Sequence, residues 1–321
     1  MAAPTVKKTK AFANRKHKDA IFILVMLVWP IAHFLLFWVF VNGRTILLTF
    51  QRSMFFKTGD KNSYVFVGLD NYVTAFKAFF LDAGGEEALK TAFWNSLSIA
   101  PLNVLIILPI AYVCAFVLFK KIKFEGFFRV VFYIPSIISL VILIMLYKYM
   151  FKPEFGPIAA VLRAFGFSKD WFDLSLPNPA LWPLIYVFCV WAGMGTNVIL
   201  ISSAMSRVPT EILESGKLDG VGFWRECVQI VLPLVWPTMS TLVVFGCMGM
   251  FTFTQQPLLF GEGSVKDPLM TVSLYVFSFA NKSSFSAVSA ATTGLMFCIL
   301  FTPFIFLIKW FTEKFGRDAE F

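Results

Sequence analysis

Long apolar segments are the feature that most constrains how this chain folds. They recur along 321 residues and are separated by short polar stretches. A helix of about 20 apolar residues crosses the hydrocarbon core of a bilayer, which is about 30 Å thick. We therefore predict an all-α integral membrane protein with six transmembrane helices. The predicted spans are residues 20–41, 92–119, 127–150, 181–205, 231–254 and 287–308.

The composition agrees with a membrane protein. Hydrophobic residues make up 58% of the chain, against about 45–50% in soluble domains even when Gly is counted. The five cysteines fit neither the spacing of metal ligands nor a disulfide framework, since they are odd in number and far apart. We interpret them as small apolar packing residues. They are Cys114, Cys189, Cys227, Cys247 and Cys298.

The first apolar run, Ala20 to Val41, has two possible interpretations. A signal peptide would have an apolar core of about 7–15 residues followed by a cleavage site with small residues. This run is longer and ends in large side chains from Trp38 onwards, which favours a retained first span. His33 lies within it, and we expect that side chain to be packed and hydrogen-bonded rather than to act as a ligand.

The net charge of +9 is distributed in a way that indicates topology. With both termini cytoplasmic, the inner segments carry basic residues at more than twice the density of the outer loops, as the positive-inside rule requires. The predicted domains are a basic tail 1–19, a six-span domain 20–308 with an inner loop 207–230, and a tail 309–321. Lys148, near the outer end of span three, is expected to extend to the interface.

Three outer loops are predicted from turn residues and polarity. Residues 42–91 contain turn signals at 58–62 and 82–85, and residues 151–180 contain Trp171. A third loop carries Gly261-Glu262-Gly263-Ser264 before span six.

A polar, charged island from Pro209 to Pro237 lies between two apolar spans. Pro209 and Thr210 suit the start of a helix, and Glu211 and Glu214 suit its first turns because of the helix dipole. The run Asp219-Gly220-Val221-Gly222 ends that helix, and a second short helix is expected from Phe223 to Pro233. Pro233 and Pro237 also predict a kink near the start of span five.

The spacing within the island is specific. It reads Glu214-Ser215-Gly216, three residues, Gly220, nine residues, Ile230, one residue, then Leu232-Pro233. This pattern resembles the EAA coupling-loop signature of permease subunits of binding-protein-dependent ABC importers, with Ser215 and Gly216 in place of two alanines. The runs 66–72, 127–136 and 151–157 are similar to segments of carbohydrate-type permeases. The resemblance covers most of residues 20–310.

The resemblance implies a bacterial cytoplasmic (inner) membrane protein that forms half of a translocation pathway. Its implied partners are a second permease subunit, two ATPase subunits and an extracytoplasmic substrate-binding protein. The implied substrate is a mono-, oligo- or polysaccharide, with phosphorylated glycerol derivatives left open. ATP and Mg would be bound by the partner ATPase, with no cofactor in this chain. The implied ATPase-coupling residues are Glu211, Glu214, Ser215, Gly216, Asp219, Gly220, Ile230, Leu232 and Pro233.

The chain shows no sign of an active site. Gly216-Lys217 is its only Gly-Lys pair, and the remainder of a phosphate-binding loop is missing around it. With His17 and His33 as the only histidines, a metal pair or catalytic triad is not credible. We therefore expect no enzyme activity. Two alternatives stay open: an ion-driven secondary transporter, which predicts buried carboxylates or broken helices at the midplane, and a membrane scaffold without a pathway. The predicted spans contain essentially no Asp or Glu, which counts against the first.

Polar residues within the spans are candidates for the substrate pathway, because burial in lipid is costly for them. Amides and hydroxyls suit neutral sugars, and an aromatic face can stack on them. The competing interpretation is hydrogen bonding or packing between helices. The candidates are Trp191, Asn197, Ser202, Ser203, Ser240, Thr241, Gln255, Gln256, Thr292 and Thr293.

Overall fold

A computed structural model describes most of the chain. The described residues are 19, 22–54, 63–80, 87–168, 173–174, 181–261, 267–280 and 284–316. Several segments singled out above lie outside them: nearly all of the tail 1–19, the turns 58–62 and 82–85, Trp171, Glu262 to Ser264, and Arg317.

The described chain is mostly helical. The helices are α1 (Phe22–Thr49), α2 (Asp70–Phe80), α3 (Leu89–Phe119), α4 (Glu125–Ile137), α5 (Leu140–Met150), α6 (Pro157–Ala164), α7 (Leu181–Met205), α8 (Thr210–Leu218), α9 (Phe223–Leu234), α10 (Trp236–Thr252), α11 (Gln255–Phe260), α12 (Val272–Ala280) and α13 (Ser284–Gly316). Two strands, β1 (Gln51–Met54) and β2 (Ser63–Phe66), form an antiparallel pair with Gln51 opposite Phe66. A one-turn 3₁₀ helix covers Asp267–Leu269.

Four helices are long and apolar enough to cross a membrane: α1, α3, α7 and a stretch of α13. Two further spans are obtained if the bent pairs α4–α5 and α9–α10 each count as one. The prediction of six spans is compatible with this range of four to six. Span four agrees with its prediction, since α7 covers Leu181–Met205.

The chain divides into two compact units, Met1–Val73 and Thr74–Phe321. In the first unit, the side chains of α1 are largely exposed, as expected for a surface that faces lipid or another subunit. The end of α1 is tied to the hairpin by Asn71, whose Nδ2 donates to the carbonyls of Thr49 and Gln51, each at 2.8 Å. The hydroxyls of Thr49 and Tyr72 lie 2.7 Å apart.

The second unit is built around α3, which packs along α7 and α10. One buried cluster surrounds Tyr147, Phe188 and Phe260, and another surrounds Phe116 and Ile201. Within α3, residues Leu102–Ile107 form a π-helical stretch. Glycines on α7 and α10 face other helices closely, so the helix axes can approach each other.

The third predicted span is not one straight helix. It breaks at Ile138 and Ser139, which have extended backbone angles, and α4 and α5 meet at 106°. Pro135 lacks the backbone donor that would support the last turn of α4. The sequence around the break stays apolar, so hydropathy does not reveal it.

The predicted kink in span five is present, and it is sharp. The axes of α9 and α10 differ by 80°, with Val235 between them. Pro233 lies in the last turn of α9 and Pro237 in the first turn of α10. The straight part of span five is therefore Trp236–Thr252 rather than residues 231–254.

Segments predicted as outer loops contain further helices. α6 lies in the stretch 151–180, and α11 and α12 lie in the stretch between spans five and six. At nine residues, α12 is too short to cross a bilayer although its sequence is apolar. α1 and α13 also extend beyond the predicted ends of spans one and six, to Thr49 and Gly316.

Candidate functional site

The island between α7 and α10 forms a helix, a tight turn and a second helix. Pro209 precedes α8. Three hydrogen bonds close the last turn of α8: the amide of Asp219 donates to the carbonyl of Ser215, that of Gly220 to Lys217, and that of Val221 to Gly216. Gly220 has φ +71°, a left-handed conformation that disfavours residues with a Cβ. Gly222 is extended and begins α9. The sequence pattern thus produces a compact hairpin of helices.

Two positions of the spacing pattern contact each other in this hairpin. Gly216 is buried on the inner face of α8, and a Cβ built there would lie 2.8 Å from Cδ1 of Ile230 on α9. An alanine at position 216 therefore requires the end of the Ile230 side chain to shift. The contact is consistent with a small residue at position 216 facing a branched apolar residue fourteen positions later.

The outer face of α8 and the turn are exposed. This face, which we call the outer face of the island, includes an apolar side chain, Leu218, that is 90% exposed. Its other exposed members are Glu211, Glu214, Ser215, Asp219 and Gly220. Of the remaining pattern residues, Ile230 and Leu232 are half-buried and Pro233 is exposed. This surface combines carboxylates, which can accept hydrogen bonds from basic groups, with an apolar side chain that contact with another protein would cover.

The inner face of α9 is anchored on the end of α3 by residues that the sequence did not single out. Glu226 is only 5% exposed and forms an ion pair with Lys120. The hydroxyl of Tyr112 donates to the carbonyl of Cys227 at 2.6 Å. These partners are more than 100 residues apart. The one sequence signal was an acidic residue, Glu226, beside the apolar run of α9.

A cavity of about 380 Å³ lies beside the break between α4 and α5. It is lined by residues of five helices, α3, α4, α5, α7 and α10, and by Gln256. The polar residues that line it are Asn103, Ser136, Thr196, Thr252 and Gln256. Among the predicted pathway residues, the structure places only Gln256 in this cavity. Asn103 and Thr252 were missed because each stands alone in an apolar helix.

A groove of about 620 Å³ lies between α10 and α13. Ser240 and Thr241 are in its lining, together with Thr302 and the ion pair of Lys309 with Glu313 at 3.7 Å. Both predicted hydroxyls donate to the carbonyl of Pro237 at 3.0 Å. The rest of the lining is mostly apolar, so this groove resembles a surface for lipid or a helix more than a sugar site.

The other predicted pathway residues are not brought together. Asn197 donates to the carbonyl of Gly193 in its own helix, at 3.1 Å. Trp191 belongs to an aromatic cluster with Tyr147 and Phe188 and is 37% exposed. Gln255 is exposed, Ser203 is exposed, and Ser202 is half-buried with an unpartnered hydroxyl. Thr292 and Thr293 are buried within α13, and the Thr292 hydroxyl donates to the carbonyl of Val288 at 2.8 Å.

Two curated relatives have sequences similar to this one. The diacetylchitobiose uptake system permease protein NgcF of Streptomyces coelicolor is 25% identical over 315 residues, which is 93% of this chain and 84% of that protein. The probable starch degradation products transport system permease protein AmyD of Thermoanaerobacterium thermosulfurigenes is 24% identical over 282 residues, covering 86% and 90%.

The fold is that of a solved bacterial alginate ABC transporter in complex with an alginate pentasaccharide-bound periplasmic protein. The TM-score is 0.72 at 19% identity, over 95% of this chain and 96% of that one. The family model of binding-protein-dependent transport system inner membrane components matches residues 107–318, which include the island, the groove and most of the residues that line the cavity. The chain belongs to this family of inner membrane transport components.

Proposed function

We propose that this protein is the permease subunit of a carbohydrate ABC importer and forms half of its translocation pathway. The observation that carries the proposal is the island: an exposed, partly acidic outer face on a compact helical hairpin, inside the region that the family model matches. ATP is hydrolysed in a separate subunit, and this chain transmits the resulting motion to the spans. ATP and Mg are bound by that subunit, and this chain carries no cofactor.

The outer face of the island seats in the ATPase. Glu211 and Glu214 supply negative charge near the start of α8. Leu218 supplies an apolar side chain that is exposed to solvent when no partner is bound. Gly220 sets the turn that separates the two helices. Two ATPase subunits bind one such loop on each of two permeases, this chain and a second one.

The substrate passes beside the break between α4 and α5. The polar groups in the mostly apolar lining of the cavity there are amides and hydroxyls, and the described residues place no charged side chain there, which suits a neutral, hydroxylated molecule. Its volume of about 380 Å³ is in the range of small-molecule sites. Gln256, Thr196 and Asn103 are the residues that we assign to substrate contact.

The substrate class follows from the relatives. One is named for diacetylchitobiose, another for starch degradation products, and the solved transporter carries alginate. These molecules share hydroxylated sugar rings and differ in charge and length. We therefore assign a carbohydrate, delivered from outside the membrane by a substrate-binding protein.

The topology that we propose has six spans, with α4–α5 and α9–α10 each counted as one. Both termini and the island then lie on the cytoplasmic side of a bacterial inner membrane. Residues 1–19 and 309–321 are the cytoplasmic tails of the permease domain 20–308.

The test is a pull-down of the tagged chain from its native membrane in mild detergent, with partners identified by mass. We expect an ATPase, a second permease and a substrate-binding protein. Titration of the binding protein with sugars of different length and charge then identifies the substrate. Recovery of the chain alone, or of a homo-oligomer that still transports, would contradict the proposal and favour an ion-driven secondary transporter.

A further inference from the structure

Two residues of α3 and the residue that caps its end lie one helical turn apart on the same face, and all three contact α9. They are Tyr112, Phe116 and Lys120, spaced at i, i+4 and i+8. The Phe116 ring packs against Phe223 with ring centroids 5.0 Å apart. Lys120 lies over the Phe116 ring, at 5.5 Å from its centroid, and pairs with Glu226. The three contacts fix α9 along two turns of α3.

The ion pair is buried on the side of α9. The Glu226 side chain is 6% exposed and that of Lys120 is 24% exposed. A buried carboxylate needs a partner, since leaving it unpaired is strongly unfavourable. Lys120 also caps the end of α3, where the helix dipole favours a cation. The buried Glu226 carboxylate is therefore stable only beside Lys120, and this pairing fixes the position of α9 along α3.

The hydrogen bond from Tyr112 to α9 depends on a π-helical turn within α9. Residues Glu226–Val231 are π-helical, so the amide of Leu232 donates to the carbonyl of Cys227 five positions earlier. The same carbonyl also accepts the Tyr112 hydroxyl. π-Helical turns are frequent at functional positions. Here the turn leaves a carbonyl accessible to a side chain from a neighbouring span.

These contacts matter because α9 meets its neighbours at a tight turn and at a sharp bend. Gly220 and Gly222 join it to α8, and the 80° bend at Val235 joins it to α10. A restraint between α9 and α3 lets a push on α8 move a span instead of changing the angles at these two joints. We propose that Tyr112, Phe116 and Lys120 with Glu226 form a clamp that transmits the motion of the island to α3. This inference rests on the proposed function, since it needs an ATPase bound to the island.

The experiment uses the complex recovered from native membranes and measures ATP hydrolysis with and without its substrate-binding protein. Lys120→Met and Glu226→Gln each remove the ion pair and keep side-chain length. We expect the ATPase to co-purify in normal amount, while the stimulation of its activity by the binding protein falls at least about fivefold. Lys120→Arg keeps the charge and should retain the stimulation. Lys123→Met, on an exposed lysine nearby, is the matched control and should behave like the wild type.

A second measurement needs only this chain. Hydrogen exchange of the amides in α9 should become about 10- to 100-fold faster in Lys120→Met, because opening of α9 no longer breaks a buried pair. The amides of α7 should not change. Unchanged exchange in α9 together with unchanged stimulation would overturn the clamp, even if the ATPase is recovered as proposed.

The charge-reversed double variant, Lys120→Glu with Glu226→Lys, tests the clamp if the single variants do not assemble with the ATPase. If the single variants lose the ATPase, recovery of both the ATPase and its stimulation in the reversed pair supports the clamp. Failure of that pair to restore stimulation overturns it. If no ATPase co-purifies with the wild-type chain, the proposed function is wrong. The experiment therefore distinguishes failure of the proposed function from failure of the clamp.

Discussion

Gly195 lies at a close approach between α4 and α7. A Cβ at this position would lie closer than 3.0 Å to the carbonyl oxygen of Phe132 and to Oγ of Ser136. A backbone carbonyl cannot rotate out of the way as the end of a side chain can. The absence of a side chain at residue 195 therefore sets the distance between these helices.

We predict that Gly195→Ala destabilises the protein by about 1–3 kcal/mol, the usual cost of an overpacked contact. The check is the midpoint of thermal unfolding in detergent, which should fall by several degrees. Gly193→Ala is the matched control, because its Cβ would meet Ile107 at 3.5 Å, an ordinary contact. Equal midpoints for the two variants would show that α4 does not lie as close to α7 as described.

Gly216 presents a milder version of the same problem. The atom nearest to an added Cβ is Cδ1 of Ile230, the free end of a side chain. We predict that Gly216→Ala is close to neutral, because crowding offsets the gain of about 1 kcal/mol in helix propensity. Adding Ile230→Val removes the crowding methyl. The double variant should then be more stable than the sum of the single changes by about 0.5–1 kcal/mol. Strict additivity in this double-mutant cycle would contradict the contact between α8 and α9.

At the scale of elements, the features predictable from the sequence are those produced by local chemistry. Pro209 and Gly220 bound α8 because proline and glycine act on their own backbone. The apolar run at α7 predicts that helix with its observed bounds. In contrast, the break at Ile138 and Ser139 lies in an apolar run that is interrupted only by Ser136 and Ser139, so hydropathy does not locate it.

The candidate site divides in the same way. The residues of the island are contiguous, and their spacing predicts the hairpin. The clamp joins Lys120 to Glu226 across 106 positions, and no local pattern encodes a pair that only tertiary packing creates. Polarity alone does not show which pathway candidates face a cavity, because Asn197 and Thr292 each donate a hydrogen bond within their own helices. Only packing shows which polar group faces a cavity.

The α4–α5 break is open to a direct test. Pro135→Ala supplies an amide donor in the last turn of α4 and removes the ring that disfavours a continuous helix. We predict a several-fold slower uptake at an unchanged amount of protein in the membrane, since Pro135, Ile138 and Leu140 line the cavity. Uptake of the sugar identified through the binding protein, in vesicles, is the measurement. Uptake at the wild-type rate in this variant would contradict a role for the α4–α5 break in substrate passage.

At the scale of the whole molecule, the described structure has surfaces that are unusual for a chain acting alone. The side chains of α1 are exposed along most of its length, and the outer face of the island carries an exposed leucine. A bilayer accounts for α1, and a charged helical hairpin with an apolar tip suits contact with a soluble partner. Under the proposed function, the molecule is one part of an assembly, with the island as its contact on the cytoplasmic side.

Glu214→Arg tests this contact without disturbing the fold. Glu214 is exposed, so reversing its charge should leave the midpoint of thermal unfolding within about a degree of the wild type, as surface substitutions usually do. If the carboxylate accepts hydrogen bonds from the ATPase, its loss costs about 1.5–3 kcal/mol of binding, a factor of about 10 to 100. We therefore predict at least tenfold less ATPase in the pull-down at limiting concentration.

Glu154→Arg, at an exposed glutamate beyond α5 on the predicted outer side, is the control and should retain the ATPase. Undiminished ATPase recovery with Glu214→Arg would exclude Glu214 from the interface, and loss with Glu154→Arg alone would reverse the proposed topology.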